Sequence, residues 1–194
     1  MRCLFAKGKE SERAFSSGVV AGSHIIPVTD ANQYFQPGDF IFASNASGQN
    51  VEFLGPATSV NTGEISCFYP HGMDRPAGSL CWKPEHRFMF SKKRTRPERS
   101  LQTGISTRRS LGGQAYLTKI REQTERETLQ LEKVRKVEAD EFREWINNAL
   151  AGGIETFTFC DERRNISTAI LLTTEIKETE NAPEEVSIEV EIEL

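Results

Sequence analysis

The last nine residues, Val186-Ser187-Ile188-Glu189-Val190-Glu191-Ile192-Glu193-Leu194, alternate between apolar and polar side chains. Successive side chains of a β-strand point to opposite faces, so this pattern predicts a strand with one apolar and one acidic face. Further strands are predicted at 114–120, 126–134, 156–159 and 166–176. The sequence therefore predicts a mainly β protein whose C-terminal half is a β-sandwich.

One segment departs from the two-residue period and predicts the only α-helix, at about 137–151. Its apolar residues recur at helical spacing, and its polar residues fall on the other side, where we expect them to face water. Gly152 and Gly153 end it, because glycine adopts the left-handed stop conformation easily. We expect Trp145 and Phe142 to belong to the core face and not to an interface. The apolar face is Phe142, Trp145, Ile146, Ala149 and Leu150; the polar face is Glu138, Asp140, Glu141, Arg143, Glu144, Asn147 and Asn148.

The N-terminal half consists of short apolar runs between turn signals. Gln36-Pro37-Gly38-Asp39 precedes a run at 40–43, and Asn45-Ala46-Ser47-Gly48 precedes another at 51–54. Gly55-Pro56 is expected to interrupt that second strand. Such punctuation predicts a small β-barrel at 1–87, followed by the sandwich domain with its helix at 88–194.

Charge is segregated along the chain, although the net charge is only −4. A long basic arm is predicted at about 91–113, and the C-terminal strand is acidic. Because dense charge of one sign repels itself, we expect these two segments to meet within a subunit or between neighbouring subunits. The predicted interface residues are Lys92, Lys93, Arg94, Arg96, Arg99, Arg108, Arg109, Glu189, Glu191 and Glu193.

The sequence favours neither a membrane protein nor an enzyme. No apolar run approaches the roughly 20 residues that cross a bilayer, and the N-terminus has no signal-peptide pattern. We therefore expect no membrane partner and synthesis in the cytoplasm. No nucleophile with a base, metal cluster or phosphate loop is evident, so we expect no catalytic residue and no cofactor. Asp161-Glu162-Arg163-Arg164 is interpreted as a solvated hairpin turn.

The four cysteines, Cys3, Cys67, Cys81 and Cys160, have no C-x-x-C spacing. In a cytosolic chain such residues are usually free thiols packed as small apolar groups, and we predict this state here. The alternative is a zinc site, for which the loosely spaced ligands would be Cys67, His71, Cys81 and His86.

Two sets of segments together resemble known proteins. Residues 36–42, 51–54 and 76–82 resemble the small barrel module of minor tail and tail-tip proteins of long-tailed bacteriophages. Residues 108–114, 150–153 and 155–159 resemble the tail-tube-like sandwich of distal tail proteins. The resemblance is one of pattern and layout, and it covers most of the chain from about Ile25. The barrel comes first here, whereas the tube-like domain leads in the distal tail proteins.

The resemblance implies a non-enzymatic virion structural protein of a phage or prophage tail. Such a protein would form a homo-oligomeric ring, hexameric or trimeric, that joins the tail tube to the tip. The implied partners are the tail tube protein, the tape-measure protein and the tip hub protein. The implied location is the virion tail, assembled in the host cytoplasm.

Two other functions remain open from the sequence. The basic segment 92–109 could serve a nucleic-acid-binding module, but no aromatic residues interleave with its arginines to stack bases, so direct nucleic-acid binding is not favoured. Alternatively, the barrel could bind a receptor or carbohydrate at the tail tip through aromatic residues such as Tyr69 and Trp82.

Overall fold

The structure, a computed structural model, describes residues 3–91, 96–102, 105–109, 115–119, 124–153, 155–178 and 184–194. It confirms a mainly β protein with one long helix. The elements in chain order are β1 (Leu4–Lys7), β2 (Glu10–Ala14), β3 (Ile25–Pro27), α1 (Ala31–Tyr34), β4 (Phe40–Ser44), β5 (Glu52–Val60), β6 (Glu64–Cys67), β7 (Leu80–Lys83), β8 (His86–Met89), β9 (Arg96–Gln102), β10 (Ile105–Arg109), β11 (Ala115–Lys119), β12 (Thr124–Arg135), α2 (Lys136–Ala149), β13 (Phe157–Cys160), β14 (Ile166–Glu178) and β15 (Glu185–Glu193).

The chain divides into two compact units. The N-terminal unit contains Cys3–Met89 together with Phe157–Ser167, and the C-terminal unit contains Phe90–Thr156 together with Thr168–Leu194. Residues 157–167 thus group with the N-terminal unit, although the sequence placed them in the 88–194 domain. The reason is strand pairing, because β13 lies antiparallel to β1, with Phe5 opposite Phe159.

Most of the N-terminal unit is an antiparallel sheet in the order β2-β7-β4-β5-β6-β3. The backbone N–H of Ser16, just after β2, donates to the carbonyl of Pro27 in β3 at 2.8 Å. This bond connects the two end strands of the sheet, as in a barrel. One buried cluster fills the space inside this barrel: Phe15, Ile26, Val28, Ala31, Phe35, Ile41, Ala43, Leu54, Ala57, Ile65, Cys67 and Cys81.

A second buried cluster joins the barrel strands to β1 and β13. It consists of Leu4, Ala6, Phe42, Phe53, Trp82 and Cys160. Since β1 also pairs with β8, these three strands lie side by side within the N-terminal unit in the order β8-β1-β13.

Strand β5 does not end at Gly55-Pro56, so the predicted interruption is wrong. Gly55 has φ +80 and lies in a register irregularity between β4 and β5, after which the strand continues to Val60. A Cβ on Gly55 would lie 2.7 Å from Cδ2 of Tyr69. Glycine is therefore required here both for its backbone conformation and for the close approach of an aromatic ring.

The C-terminal unit contains an antiparallel sheet in the order β14-β15-β12-β9. Every second residue of β15 is buried, as the alternation predicted. Helix α2 packs on β12 and β15 through buried Phe142, Trp145, Ile146 and Ala149. In the described part of this unit, the helix covers one four-stranded sheet, and β10 and β11 form a separate two-stranded sheet.

The predicted faces of α2 are confirmed except at Glu138. This residue was expected to face water but is only 6% exposed. Its carboxylate accepts hydrogen bonds from the backbone N–H of Ser91 and, at 2.7 Å, from the Ser91 hydroxyl. A carboxylate near the start of a helix also interacts favourably with the helix dipole, and both effects offset the cost of burial.

Candidate interaction surfaces

Two of the predicted interface arginines lie within the chain's own sheet. Arg96 is opposite Gln130 and Arg99 is opposite Glu127 in the pairing of β9 with β12. The predicted arm is therefore in part a strand, because backbone hydrogen bonds order a segment that is poor in apolar residues. Lys92, Lys93 and Arg94 lie outside the described residues.

Strand β9 is the last strand of its sheet, and no described strand pairs with its other side. An edge strand exposes unpaired N–H and C=O groups to which another chain can add. Pro97 has no N–H to donate, and proline is tolerated at such an edge. Residues 98–102, beyond Pro97, therefore each have both an N–H and a C=O group with which to form this edge.

The other two arginines, Arg108 and Arg109, lie in a separate two-stranded ribbon. Strands β10 and β11 pair with each other, with Arg108 opposite Tyr116 and Arg109 opposite Ala115. Neither strand pairs with any further strand in the described part of the chain. A lone two-stranded ribbon is only marginally stable in water, so packing against the rest of the chain or against another chain would stabilise this one.

The acidic face of β15 is partly neutralised by its own chain. Arg126 of β12 lies 3.1 Å from Glu191 and 3.5 Å from Glu193. Glu189 instead lies opposite Gln130 on one side and Glu175 on the other. The predicted acidic residues thus share one face, but two of the three already have a cation.

A buried charged network that the sequence analysis missed holds together two loops of the N-terminal unit. One carboxylate oxygen of Glu52 accepts from Nδ1 of His71 at 2.7 Å and from Nε of Arg75 at 3.1 Å. The other accepts from the backbone N–H of Gly72 at 2.9 Å. Nη2 of Arg75 donates to the carbonyl of Asn50 at 2.7 Å. His71 and Arg75 are each 2% exposed, so the network is a fixed internal support.

The ionisation of Glu52 follows from its surroundings. Burial would raise the pKa of this carboxyl group, but the hydrogen bonds from His71 and Gly72 and the charge of Arg75 outweigh burial and lower the pKa. Glu52 therefore stays negative opposite the guanidinium.

The four residues of the zinc alternative do not converge. Cys67 and Cys81 lie in the interior cluster, and His71 is bound to Glu52. The side chain of His86 is 44% exposed beside Glu85. Within the described ranges, no three His, Cys, Asp or Glu residues are grouped as metal ligands would be.

The four cysteines are free and buried, as predicted. Burial raises the pKa of Cys67, Cys81 and Cys160 to about 12. Such thiols remain protonated at neutral pH and are poor nucleophiles.

The two aromatic residues of the carbohydrate alternative differ in accessibility. Trp82 is 5% exposed and stacks on Phe42 with ring centroids 6.0 Å apart, so its ring is not free to stack on a sugar. Tyr69 is half-buried, and the guanidinium of Arg164 lies 4.8 Å from its ring centroid.

The segment 161–164 is a hairpin turn, as predicted, but Asp161 is not solvated. It is 2% exposed, and its carboxylate accepts from the backbone N–H of Arg163 at 2.8 Å and of Asn165 at 2.9 Å. The carboxylate thus shapes the turn that presents Arg164.

Comparison of the chain with protein-family models and with curated proteins gives no match in either case. Among the described residues, no helix combines the length and the hydropathy needed to cross a membrane.

Proposed function

We propose that this chain is a ring-forming structural component of a phage or prophage tail, of the tail-tip or distal tail kind. The observation that carries the proposal is the combination of an open β9 edge and a β10–β11 ribbon that pairs with no other described strand. An open edge and a ribbon without a further described strand beside it are features that pairing with a neighbouring subunit would complete.

The physical basis is the satisfaction of backbone hydrogen bonds. Strand addition across a subunit contact pairs groups that a lone subunit leaves to water. Such a contact uses different surfaces on the two copies, and it closes into a ring when the rotation between subunits permits. The partners proposed beyond the ring are the tail tube, tape-measure and tip hub proteins, and they rest on the resemblance alone.

Electrostatics favours the same assembly but supplies little energy for each pair. The ribbon carries Arg108 and Arg109, and the face of β15 carries more carboxylates than cations among its described residues. An exposed ion pair contributes only about 0–1 kcal/mol, so several pairs would have to act together.

The test is the molar mass in solution, measured by light scattering in about 0.1 M and about 1 M salt, between which the Debye length falls from about 10 Å to about 3 Å. The native chain should form a closed oligomer at low salt that weakens at high salt. A chain with Arg108→Ser and Arg109→Ser should assemble less. Arg99 is left unchanged because it lies opposite the buried Glu127.

The matched control removes two positive charges elsewhere, with Lys133→Ser and Arg143→Ser, and should assemble like the native chain. A native chain that stays monomeric at low salt and high concentration would overturn the proposed function. If the oligomer persists at high salt and also forms from the chain with Arg108→Ser and Arg109→Ser, only its electrostatic explanation is wrong.

A further inference from the structure

Two segments of the N-terminal unit run side by side as an irregular ribbon. Ile25 pairs with Ser66, and the N–H of Cys67 donates to the carbonyl of His24 at 2.8 Å. Further along, the N–H of His71 donates to the carbonyl of Ser23 at 2.8 Å, and its carbonyl accepts from Gly22 at 2.9 Å. We call the outward side of segments 20–25 and 66–73 the ribbon face; it belongs to the N-terminal unit and is distinct from the β10–β11 ribbon.

The ribbon face holds exposed apolar side chains on a rigid support. Val20 is 70% exposed, Phe68 57%, Ile25 42% and Met73 40%. The buried contact of His71 with Glu52 fixes the backbone beneath them. Exposed apolar side chains on two paired segments are candidates for an interaction site, and a rigid surface loses little conformational entropy when it binds.

A cation lies beside the ribbon face. Arg164 stacks on Tyr69, and among the described residues no carboxylate pairs with its guanidinium. Arginine next to aromatic side chains is the composition typical of energetically important interface residues. The ribbon face is therefore apolar, with a cation at its Tyr69 end and, near Val20, the exposed carboxylate of Asp74, which accepts from the N–H of Ala21 at 2.8 Å.

A surface of the C-terminal unit has the complementary character. Ile170 is 40% exposed and Leu172 is 36% exposed on β14. Ile170 lies opposite Glu193, and Glu191 and Glu189 follow along β15, with Arg126 as the cation that pairs with this row. We call this the β14 face; it is apolar with a negative margin.

We propose that the ribbon face of one copy docks on the β14 face of a second copy. Each face offers exposed apolar side chains, and the Arg164 end of the ribbon face is opposite in charge to the acidic row of the β14 face, which favours this pairing over docking of two β14 faces. Because the two faces differ, the contact is head-to-tail and can close a ring. The inference rests on the proposed function and identifies surfaces outside β9–β11 that hold the subunits together.

The test uses two chains that each lack one face. The first carries Phe68→Ser and Arg164→Ser on the ribbon face, and the second carries Ile170→Thr and Leu172→Thr on the β14 face. Each chain alone should show at least about tenfold weaker self-association than the native chain, which is the loss expected from removing interface hot spots. Mixed in equal amounts, they should form a 1:1 heterodimer, because one chain keeps an intact β14 face and the other an intact ribbon face.

The control is Val137→Ser, which removes an apolar side chain that is 64% exposed on α2, outside both faces. It should assemble like the native chain, and thermal melts should show that all the variants are folded. If either face variant forms native oligomers, or if the mixture stays monomeric while the native chain assembles, the docking is wrong and the proposed function stands. If the native chain is itself monomeric, both are wrong.

Discussion

Nδ1 of His71 lies 2.7 Å from Oε1 of Glu52, and this contact ties the loop after β6 to strand β5. Arg75 reaches the same carboxylate oxygen at 3.1 Å from further along that loop. Glu52 thus holds a histidine and an arginine that are each 2% exposed. The Glu52 side chain thus adds to the backbone hydrogen bonds that hold this loop, among them those of Arg75 with Val19 at 2.7 Å.

Removing the charge of Glu52 should destabilise the N-terminal unit. Glu52→Gln leaves Arg75 buried without its carboxylate, and breaking a buried pair in this way costs about 3–5 kcal/mol. Urea unfolding would measure the loss. Glu10→Gln, at a side chain that is 53% exposed beside Lys83, is the matched control and should change stability by less than about 0.5 kcal/mol. Equal effects of the two substitutions would contradict the structural role of the network.

Stability should also depend on pH through Glu52. Its pKa is lower in the folded protein than the ordinary value of 4.5, so the folded state binds this proton more weakly than the unfolded state does. The stabilisation is fully present above about pH 4.5 and is lost as the pH falls through the folded value. Unfolding free energies between pH 3 and pH 7 should therefore fall on the acid side, and less steeply in Glu52→Gln. Parallel pH profiles for the two chains would exclude this residue as a source of the acid sensitivity.

Trp145 should be a major contributor to the C-terminal unit. It is 7% exposed and stacks on Phe142 with ring centroids 6.0 Å apart. Trp145→Ala should cost about 3–5 kcal/mol, as deletions of large buried aromatic side chains do. Chemical unfolding would measure the loss, with Val137→Ala as the exposed helical control. An unchanged free energy of unfolding would mean that this ring does not support the core.

The thiols should be free but slow to react. Burial raises the pKa of Cys67, Cys81 and Cys160 to about 12, so these three should resist a disulfide reagent at pH 8 in the native protein. All four cysteines should react in denaturant without prior reduction, since none is in a disulfide. Rapid reaction of the native thiols would show that the two buried clusters that contain them open readily.

Local patterns in the sequence predicted the elements whose interactions are local or periodic. The alternation in β15 and the spacing of Phe142, Trp145 and Ile146 in α2 follow directly from strand and helix geometry. What these patterns could not predict depends on distant partners. Glu138 is buried because Ser91 binds it from 47 positions away.

For the candidate surfaces, too, the sequence predicted local features but not those that depend on distant partners. The segregation of charge indicated the basic segment, but not that Arg96 and Arg99 belong to a sheet strand. In the Glu52 network, His71 and Arg75 are 19 and 23 positions away from Glu52, and no sequence motif predicts their contact. The grouping of 157–167 with the first unit needs the pairing of β13 with β1, in which Phe159 lies opposite Phe5 far away in the sequence, and no local pattern reveals it.

The central claim is that this chain assembles with itself into a ring. The most direct test is negative-stain electron microscopy of the purified native chain at about 0.1 M salt, where surface charges interact over about 10 Å. The proposed function predicts closed rings of uniform subunit number. Monodisperse single subunits at every concentration tested would contradict it.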